Sequence, residues 1–498
     1  MSGRGDGPDS VARGTALILL TYAGTAGFTA ILTVYLTRAL GPEGFGLFSL
    51  AFGIAGLLTL PADLGIGASA SRFMAEQRGD RAAMAGIFAA ATRLKLIVAG
   101  AVALALAALA GPIADGYGRP ELVGPLRGMA LALAAMSVMT MFSQLFIAAG
   151  RSASNLRMVV SESSAELSIS VALVATGAGA AGAAFGRGIA YAAGALIGLG
   201  MAMRLFGRGA AAVHRRGGPQ LMAIGRYAGW LFVVNGAYTV FNQIDILLIG
   251  SILGIAAVGQ FSAPLRLTFL LHYPGLAIAN AVTPRVAAED GRERGGAEVQ
   301  SALRILLVIQ AAMIAPVIVW ADPIVRLVLG PDYTDSVDVL RFMAPFIFLQ
   351  GIAPLVSLSL NFLGEARRRV PVAVAAVVVN AVVDLILLPE MGVSGAAIGT
   401  SVAYAVYVGG HLWLCRSLLG VRLRPLAGTL TRSLVAAAGM AAALWVFGTR
   451  DLSVLEWLGG GVLGSAAFLG VLVAAREVSV ADLRAASAAV RGRLGASG

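Results

Sequence analysis

One ten-residue stretch occurs twice in this chain, and no other feature restricts the fold as much. Leu40-Gly41-Pro42-Glu43-Gly44-Phe45-Gly46-Leu47-Phe48-Ser49 is answered by Leu253-Gly254-Ile255-Ala256-Ala257-Val258-Gly259-Gln260-Phe261-Ser262, at a spacing of 213 residues. The register holds through the following helix, where Leu57, Leu58 and Pro61 match Leu270, Leu271 and Pro274, and into the loop beyond, where Arg72 and Glu76 match Arg285 and Glu289. It returns near the end of each half. Gly182-Ala183-Ala184 and Gly186 match Gly395-Ala396-Ala397 and Gly399, and Tyr191 matches Tyr404. An internal repeat of this length in an apolar chain implies two related structural halves, a layout that transporters use.

The chain is 58% hydrophobic and only 13% charged over 498 residues. Apolar runs of about 20 residues, the length that spans a bilayer as helix, recur throughout. The expected fold is therefore all-α: a polytopic membrane protein of about 14 spans, roughly 14–37, 45–70, 86–110, 123–149, 157–178, 182–205, 226–250, 256–281, 303–329, 338–363, 370–389, 393–415, 427–447 and 454–475. Residues 1–13 form a polar tail, and the first span reads as retained rather than cleaved. Spans 1–6 (14–206) make one six-helix lobe and spans 7–12 (226–420) the other, joined by a linker at 207–225. Spans 13 and 14 (421–475) have no counterpart in the repeat and precede a tail at 476–498. Each half holds an even number of spans, so both enter from the same side and the repeats are parallel.

Arginine placement sets the orientation. With the N-terminus in the cytoplasm, 27 basic residues fall in cytoplasmic segments and 7 on the outer side: Arg38, Arg119, Arg127, Arg187, Arg326, Arg341 and Arg450. Arg93, Lys95 and Arg266 lie within spans. This asymmetry puts both termini in the cytoplasm and accounts for the net charge of +11 without nucleic acid. Connections are short, so no soluble catalytic domain fits and no enzyme is expected. Cys415 is the only cysteine, which excludes disulfides. His214, His272 and His411 are scattered without metal-ligand spacing, so neither metal nor cofactor is expected. Pro61, Pro264, Pro274, Pro316, Pro345 and Pro354 fall inside spans and predict bends. The GxxxG pairs Gly182/Gly186 and Gly395/Gly399 predict close helix packing.

The chain resembles the polysaccharide transporter family, the lipid-linked oligosaccharide flippases of O-antigen, capsule and exopolysaccharide assembly. Their superfamily also contains the multidrug and toxin extrusion antiporters and the lipid II flippases. The residues that carry the resemblance are Arg38-Ala39-Leu40-Gly41-Pro42-Glu43-Gly44-Phe45-Gly46, Asp63-Leu64-Gly65-Ile66-Gly67 and Arg72-Phe73-Met74-Ala75-Glu76. In the second half they are Gln243-Ile244-Asp245, Ile249-Gly250 and Leu253-Gly254, and the likeness covers roughly 14–475. It implies two six-helix lobes around a cavity lined by spans 1, 2, 7 and 8, a rocking cycle, and a polyprenyl-diphosphate substrate in a bacterial inner membrane. A polysaccharide polymerase and glycosyltransferases are the implied partners.

Charges within spans each need a cavity or a partner. Arg266, near the middle of span 8, is the candidate for holding the diphosphate, because its fork stays charged and fits phosphate oxygens. A structural pair with Asp245 of span 7 is the competing reading. Arg38 is a candidate for the cavity rim. Asp63 is a candidate for the cavity, a helix cap or coupling. Arg93 and Lys95, the only lysine, either snorkel to the cytoplasmic surface or form a gate there. Glu162 and Glu166 lie one turn apart in span 5, as a proton site or a solvated inner end. Asn235, Tyr238, Asn242 and Gln243 put sugar-binding polar groups on one broad face of span 7, unless they serve interhelical hydrogen bonds. Asn361, Asn380 and Asp384 are weaker candidates of the same kind. The readings in competition are a glycan flippase, an ion-coupled multidrug antiporter of the same fold, a lipid II flippase, and a membrane-embedded transferase.

Overall fold

The computed structural model describes residues 11–77, 79–206, 236–286 and 291–478. Every regular element among them is helical. This follows from composition: where no water reaches the backbone, a helix satisfies each N–H and C=O within its own segment. The first half comprises α1 (Val11–Asp63), α2 (Ile66–Glu76), α3 (Arg81–Gly116), α4 (Val123–Ala148), α5 (Ser152–Leu173) and α6 (Gly179–Phe206). Helix α7 covers the described residues 236–252. Then follow α8 (Ile255–Thr268), α9 (Tyr273–Val286), α10 (Gly291–Val319), α11 (Ala321–Val328), α12 (Ser336–Phe342) and α13 (Ala344–Phe362). The last four are α14 (Ala366–Met391), α15 (Val393–Leu419), α16 (Leu423–Val446) and α17 (Val454–Ala474).

Ten helices among the described residues are long and apolar enough to cross a membrane. Two of them are double. The α1 run breaks at Gly41, which has φ 64 and ψ 179. The run from α5 into α6 passes through a π-helical turn at Val174–Ala178, with Gly177 at φ 87 and Gly179 at φ 55. Gly254, the repeat counterpart of Gly41, also has positive φ (95). Both copies of the ten-residue stretch therefore turn the chain on a glycine in a conformation that a side chain disfavours.

Prolines break the helices where their missing N–H falls. The expected span 303–329 is two helices, because Pro323 cannot donate to the carbonyl of Val319 and its ring crowds that position, ending α10 there. The expected span 338–363 divides at Met343 in the same way, two residues before Pro345. In the repeated helix, Pro61 is followed by a break at Leu64 and Gly65 (φ 45 and 71), while Pro274 is preceded by a 3-10 turn over Phe269–His272. Both copies bend, but on opposite sides of the matched proline. Pro264, Pro316 and Pro354 lie inside continuous helices.

The chain falls into two compact units, Met1–Arg266 with Asp384–Ala396, and Leu267–Val383 with Ala397–Gly498. In the first, α4 and α6 approach closely: a Cβ on Gly128 would lie 2.7 Å from the Phe185 nitrogen, and one on Gly188 2.9 Å from Leu131. Gly186 meets the backbone of Ser170 on α5, and Gly182 meets Leu173 and Ala178, as the small-residue spacing predicts. Met74, Phe88, Phe142, Phe146 and Met158 fill this core. Leu94, Leu96, Ile97 and Leu104 of α3 are exposed, as a lipid-facing surface requires.

In the second unit α9 crosses α13 with little room. A Cβ on Gly275 would overlap the carbonyl of Gly351, and the His272 Nδ1 lies 3.0 Å from the Gln350 carbonyl. Gln310 of α10 donates to the carbonyl of Leu271, a backbone acceptor in the 3-10 turn (3.3 Å). The unmatched α16 and α17 pack on α10 and α11 through Trp320, Met440, Leu444 and Phe468. Beyond α17, Glu477 accepts from Arg304 of α10 and from Arg432 and Thr429 of α16, each at 2.7 Å. Burial raises the Glu477 carboxyl, but these hydrogen bonds outweigh it and hold the group below its ordinary range. A depressed carboxylate stabilises the fold above its unfolded value, and that contribution is lost as pH falls through the folded one. Glu477→Gln is therefore expected to lower stability at pH 7 by about 1 kcal/mol, because the arginine ends are half exposed. The difference from wild type should vanish in acid, as read by thermal unfolding across pH.

Candidate substrate site

Phe45, Phe48 and Phe52 follow the Gly41 break at spacings of three and four, and so line one face of the helix. Arg266 of α8 sits over all three, with its guanidinium carbon 5.1, 5.1 and 5.2 Å from the ring centroids. Such contacts hold a cation without neutralising it. Arg187 of α6 also stands over this group, 4.8 Å from the Phe52 centroid and 5.7 Å from that of Tyr191. Glu166 of α5 lies 3.5 Å from the Arg187 Nε. One turn earlier, Glu162 is buried (4% exposed) and accepts from Ser163 at 3.1 Å; its Oε1 has no hydrogen-bond partner among the described residues.

Two guanidinium groups thus share the Phe52 ring, and one carboxylate serves only one of them. Asp245 is buried and has partners elsewhere, and no ion pair joins it to Arg266 among the described residues. The Asp245–Arg266 pair expected as the competing reading is replaced by an aromatic seat. The solvated inner end expected for Glu162 and Glu166 is also corrected. Helix α5 begins at Ser152 rather than 157, which puts both carboxylates near mid-helix, facing α6.

Gln243 of α7 is accommodated by glycines. A Cβ on Gly56 would lie 2.9 Å from its amide carbon, and one on Gly53 3.5 Å from its Oε1, which has no hydrogen-bond partner among the described residues. Asn242 donates to the Tyr238 carbonyl at 2.7 Å, so its amide serves its own helix, while the Tyr238 ring is exposed. Asn235 lies outside the described residues. Arg38 and Arg93 are exposed.

Lys95 does not snorkel. It is 1% exposed and is hydrogen-bonded to Asp63, the last residue of α1. A buried ammonium needs this carboxylate, so Asp63→Asn is expected to cost roughly 2 kcal/mol, limited by water access to Asp63. Adding Lys95→Met should restore most of that loss. Thermal unfolding of the single and double variants in detergent measures it; equal loss in both would mean that the pair contributes nothing.

The ten-residue stretches meet reciprocally within the first unit. A Cβ on Gly46 would overlap the carbonyl oxygen of Ile255, and one on Gly259 would overlap that of Pro42. Pro42 and Ile255 are themselves repeat counterparts, so the crossing of the second α1 segment with α8 has local twofold symmetry. Arg119 Nη1 bonds Glu43 at 3.0 Å beside it. The aromatic seat and Arg266 lie just along these two helices from the crossing.

Residues 11–288 match the family model described as polysaccharide biosynthesis protein, and residues 231–386 match the MatE model. The chain belongs to the polysaccharide biosynthesis protein family. Over 188 residues this family member is 23% identical to the probable low-salt glycan biosynthesis flippase Agl15 of Haloferax volcanii, covering 37% of this chain and 40% of that one. The match thus spans about two-fifths of the relative's length. The fold is that of a lipid II flippase MurJ solved in an inward closed conformation, with a TM-score of 0.73 at 12% identity over 92% of this chain and 98% of the other. It is also that of a multidrug resistance MATE family transporter in an inward-facing conformation, with a TM-score of 0.65 at 18% identity over 80% and 94%.

In the second unit, a buried Arg369 at the start of α14 donates to Asn361, to the His411 Nε2 at 3.1 Å and to the Tyr407 hydroxyl at 3.4 Å. His411 Nδ1 lies 2.8 Å from the Tyr407 carbonyl, so the ring is neutral with its proton on Nδ1. Asn361 is therefore a structural partner within this cluster. Cys415 is buried beside it. Asn380 and Asp384 of α14 are both fully buried. His214 lies outside the described residues.

Sequence reasoning singled out Arg266 and missed Arg187 as its neighbour. The available signal was the Phe45, Phe48 and Phe52 stripe together with the position of Arg187, which was counted on the outer side although it falls within the expected span 182–205.

Proposed function

We propose that this protein is a flippase that moves a polyprenyl-diphosphate-linked oligosaccharide across a bacterial inner membrane during polysaccharide synthesis. The observation that carries the reading is Arg266, a guanidinium seated on three aromatic faces with no carboxylate paired to it among the described residues. A diphosphate supplies the missing negative charge, and the planar fork takes two oxygens at once. Gln243, whose amide oxygen has no partner among the described residues, is the candidate for a sugar hydroxyl. The chain crosses the membrane about fourteen times with both termini in the cytoplasm, and its halves rock between two faces. A polymerase and glycosyltransferases are its expected partners, and no covalent bond changes in the cycle.

Purified protein in liposomes should translocate a fluorescent polyprenyl-diphosphate oligosaccharide. Exchange of a cationic dye for protons, without movement of the lipid-linked sugar, would replace this reading with the antiporter. Movement of lipid II alone would narrow the substrate to a peptidoglycan precursor.

A further inference from the structure

The outer side of the proposed topology is poor in arginine, yet three of its seven, Arg326, Arg341 and Arg450, line one cavity of about 230 Å³ with Asp322, Asp338 and Tyr333. Arg326 bonds Asp322 at 2.9 Å and Arg341 bonds Asp338 at 3.1 Å. Arg450 has no carboxylate partner among the described residues. It comes from the turn between α16 and α17, the two helices without a repeat counterpart. That turn is held in place. Trp320 Nε1 donates to the Gly448 carbonyl at 3.2 Å, and the indole packs edge-on against Trp457 at 4.8 Å. Asp451 has φ 48, and Ser453 and Glu456 form a capping box at the start of α17. The added hairpin thus delivers a third guanidinium to a pocket that already holds two.

We propose that this pocket binds a sugar bearing an oxyanion, a hexose phosphate or a hexuronate, on the outer face of the membrane. Two paired arginines and one unpaired one leave the lining with a net positive charge that an anion would balance. Guanidinium forks suit both phosphate and carboxylate oxygens. The space exceeds what a bare phosphate fills and suits a single sugar ring. The sidedness and the link to glycan export rest on the flippase reading. On that reading the appended hairpin builds an exit site for acidic units of the exported glycan, separate from the Arg266 seat.

Calorimetric titration of the full chain in nanodiscs tests this without requiring transport. Glucose 1-phosphate and glucuronate should bind saturably, and glucose about tenfold more weakly or not at all. Arg450→Ala should weaken binding about tenfold and Arg450→Lys less, because lysine keeps charge but not the fork. Arg266→Ala should leave this binding unchanged. No saturable binding by wild type overturns the proposal, as does loss of binding in Arg266→Ala with retention in Arg450→Ala. Inorganic phosphate binding as tightly as glucose 1-phosphate overturns the sugar assignment. Because Cys415 is buried, Arg450→Cys gives one reactive thiol. It should be labelled by a membrane-impermeant maleimide in spheroplasts and protected by glucose 1-phosphate; labelling only after permeabilisation overturns the outward placement. Equal thermal stability and monodispersity of the variants separate lost binding from lost folding.

Discussion

Arg266→Ala is expected to reduce translocation of a polyprenyl-diphosphate oligosaccharide about a hundredfold. Two charge-assisted hydrogen bonds to the diphosphate are lost, a loss of roughly 3 kcal/mol in binding. Arg266→Lys should retain part of the rate, because the ammonium keeps the charge and the cation–π contact but presents no fork. The three phenyl rings around Arg266 persist in the alanine variant, so folding should change little. Reconstitution in liposomes, normalised to inserted protein, gives the measurement. Equal rates for wild type and alanine would leave the flippase reading standing and remove Arg266 from it.

Gly259→Ala should be nearly as severe, and for a mechanical reason. Its methyl group would occupy the space of the Pro42 carbonyl oxygen, a backbone atom that cannot rotate away. Overpacking of this kind costs typically 1–3 kcal/mol. Only a conformation with the two helices drawn together bears that cost, so a second conformation with the helices apart would gain by about ten- to hundredfold. Gly46→Ala should act in the same way against Ile255. Spin labels at Glu43 and Ala256, both exposed beside the crossing, would report longer or broader distances in either variant. Unchanged distances together with unchanged thermal stability would show that the crossing yields locally and has no part in a cycle.

The helical membrane fold and its repeat were legible because both depend on local composition and on register. The glycines at 41 and 254 mark a shared break that a single sequence displays directly. What was not legible depends on depth and on neighbours across helices. Glu162 and Glu166 were visible as a pair, but their level in the membrane depends on where α5 starts, and no cap residue marks Ser152. Lys95 finds its carboxylate 32 residues away on another helix, and Arg187 finds Glu166 across α5 and α6, relations that no spacing rule gives. The Trp320 seat of the last two helices was equally hidden, because an unmatched segment offers no register to compare.

The crossing of the two ten-residue stretches also bears on how the copies can change over time. Each contact sets a glycine of one copy against a main-chain oxygen of the other. A substitution at Gly46 is therefore not relieved by any side-chain change at Ile255, and one at Gly259 is not relieved at Pro42. Relief must come from moving a whole helix, which disturbs the mirrored contact as well. The two copies are thereby coupled in their divergence, and suppressors of a Gly259 lesion should arise in the first half of the gene, around the Gly41 turn, rather than beside the lesion itself.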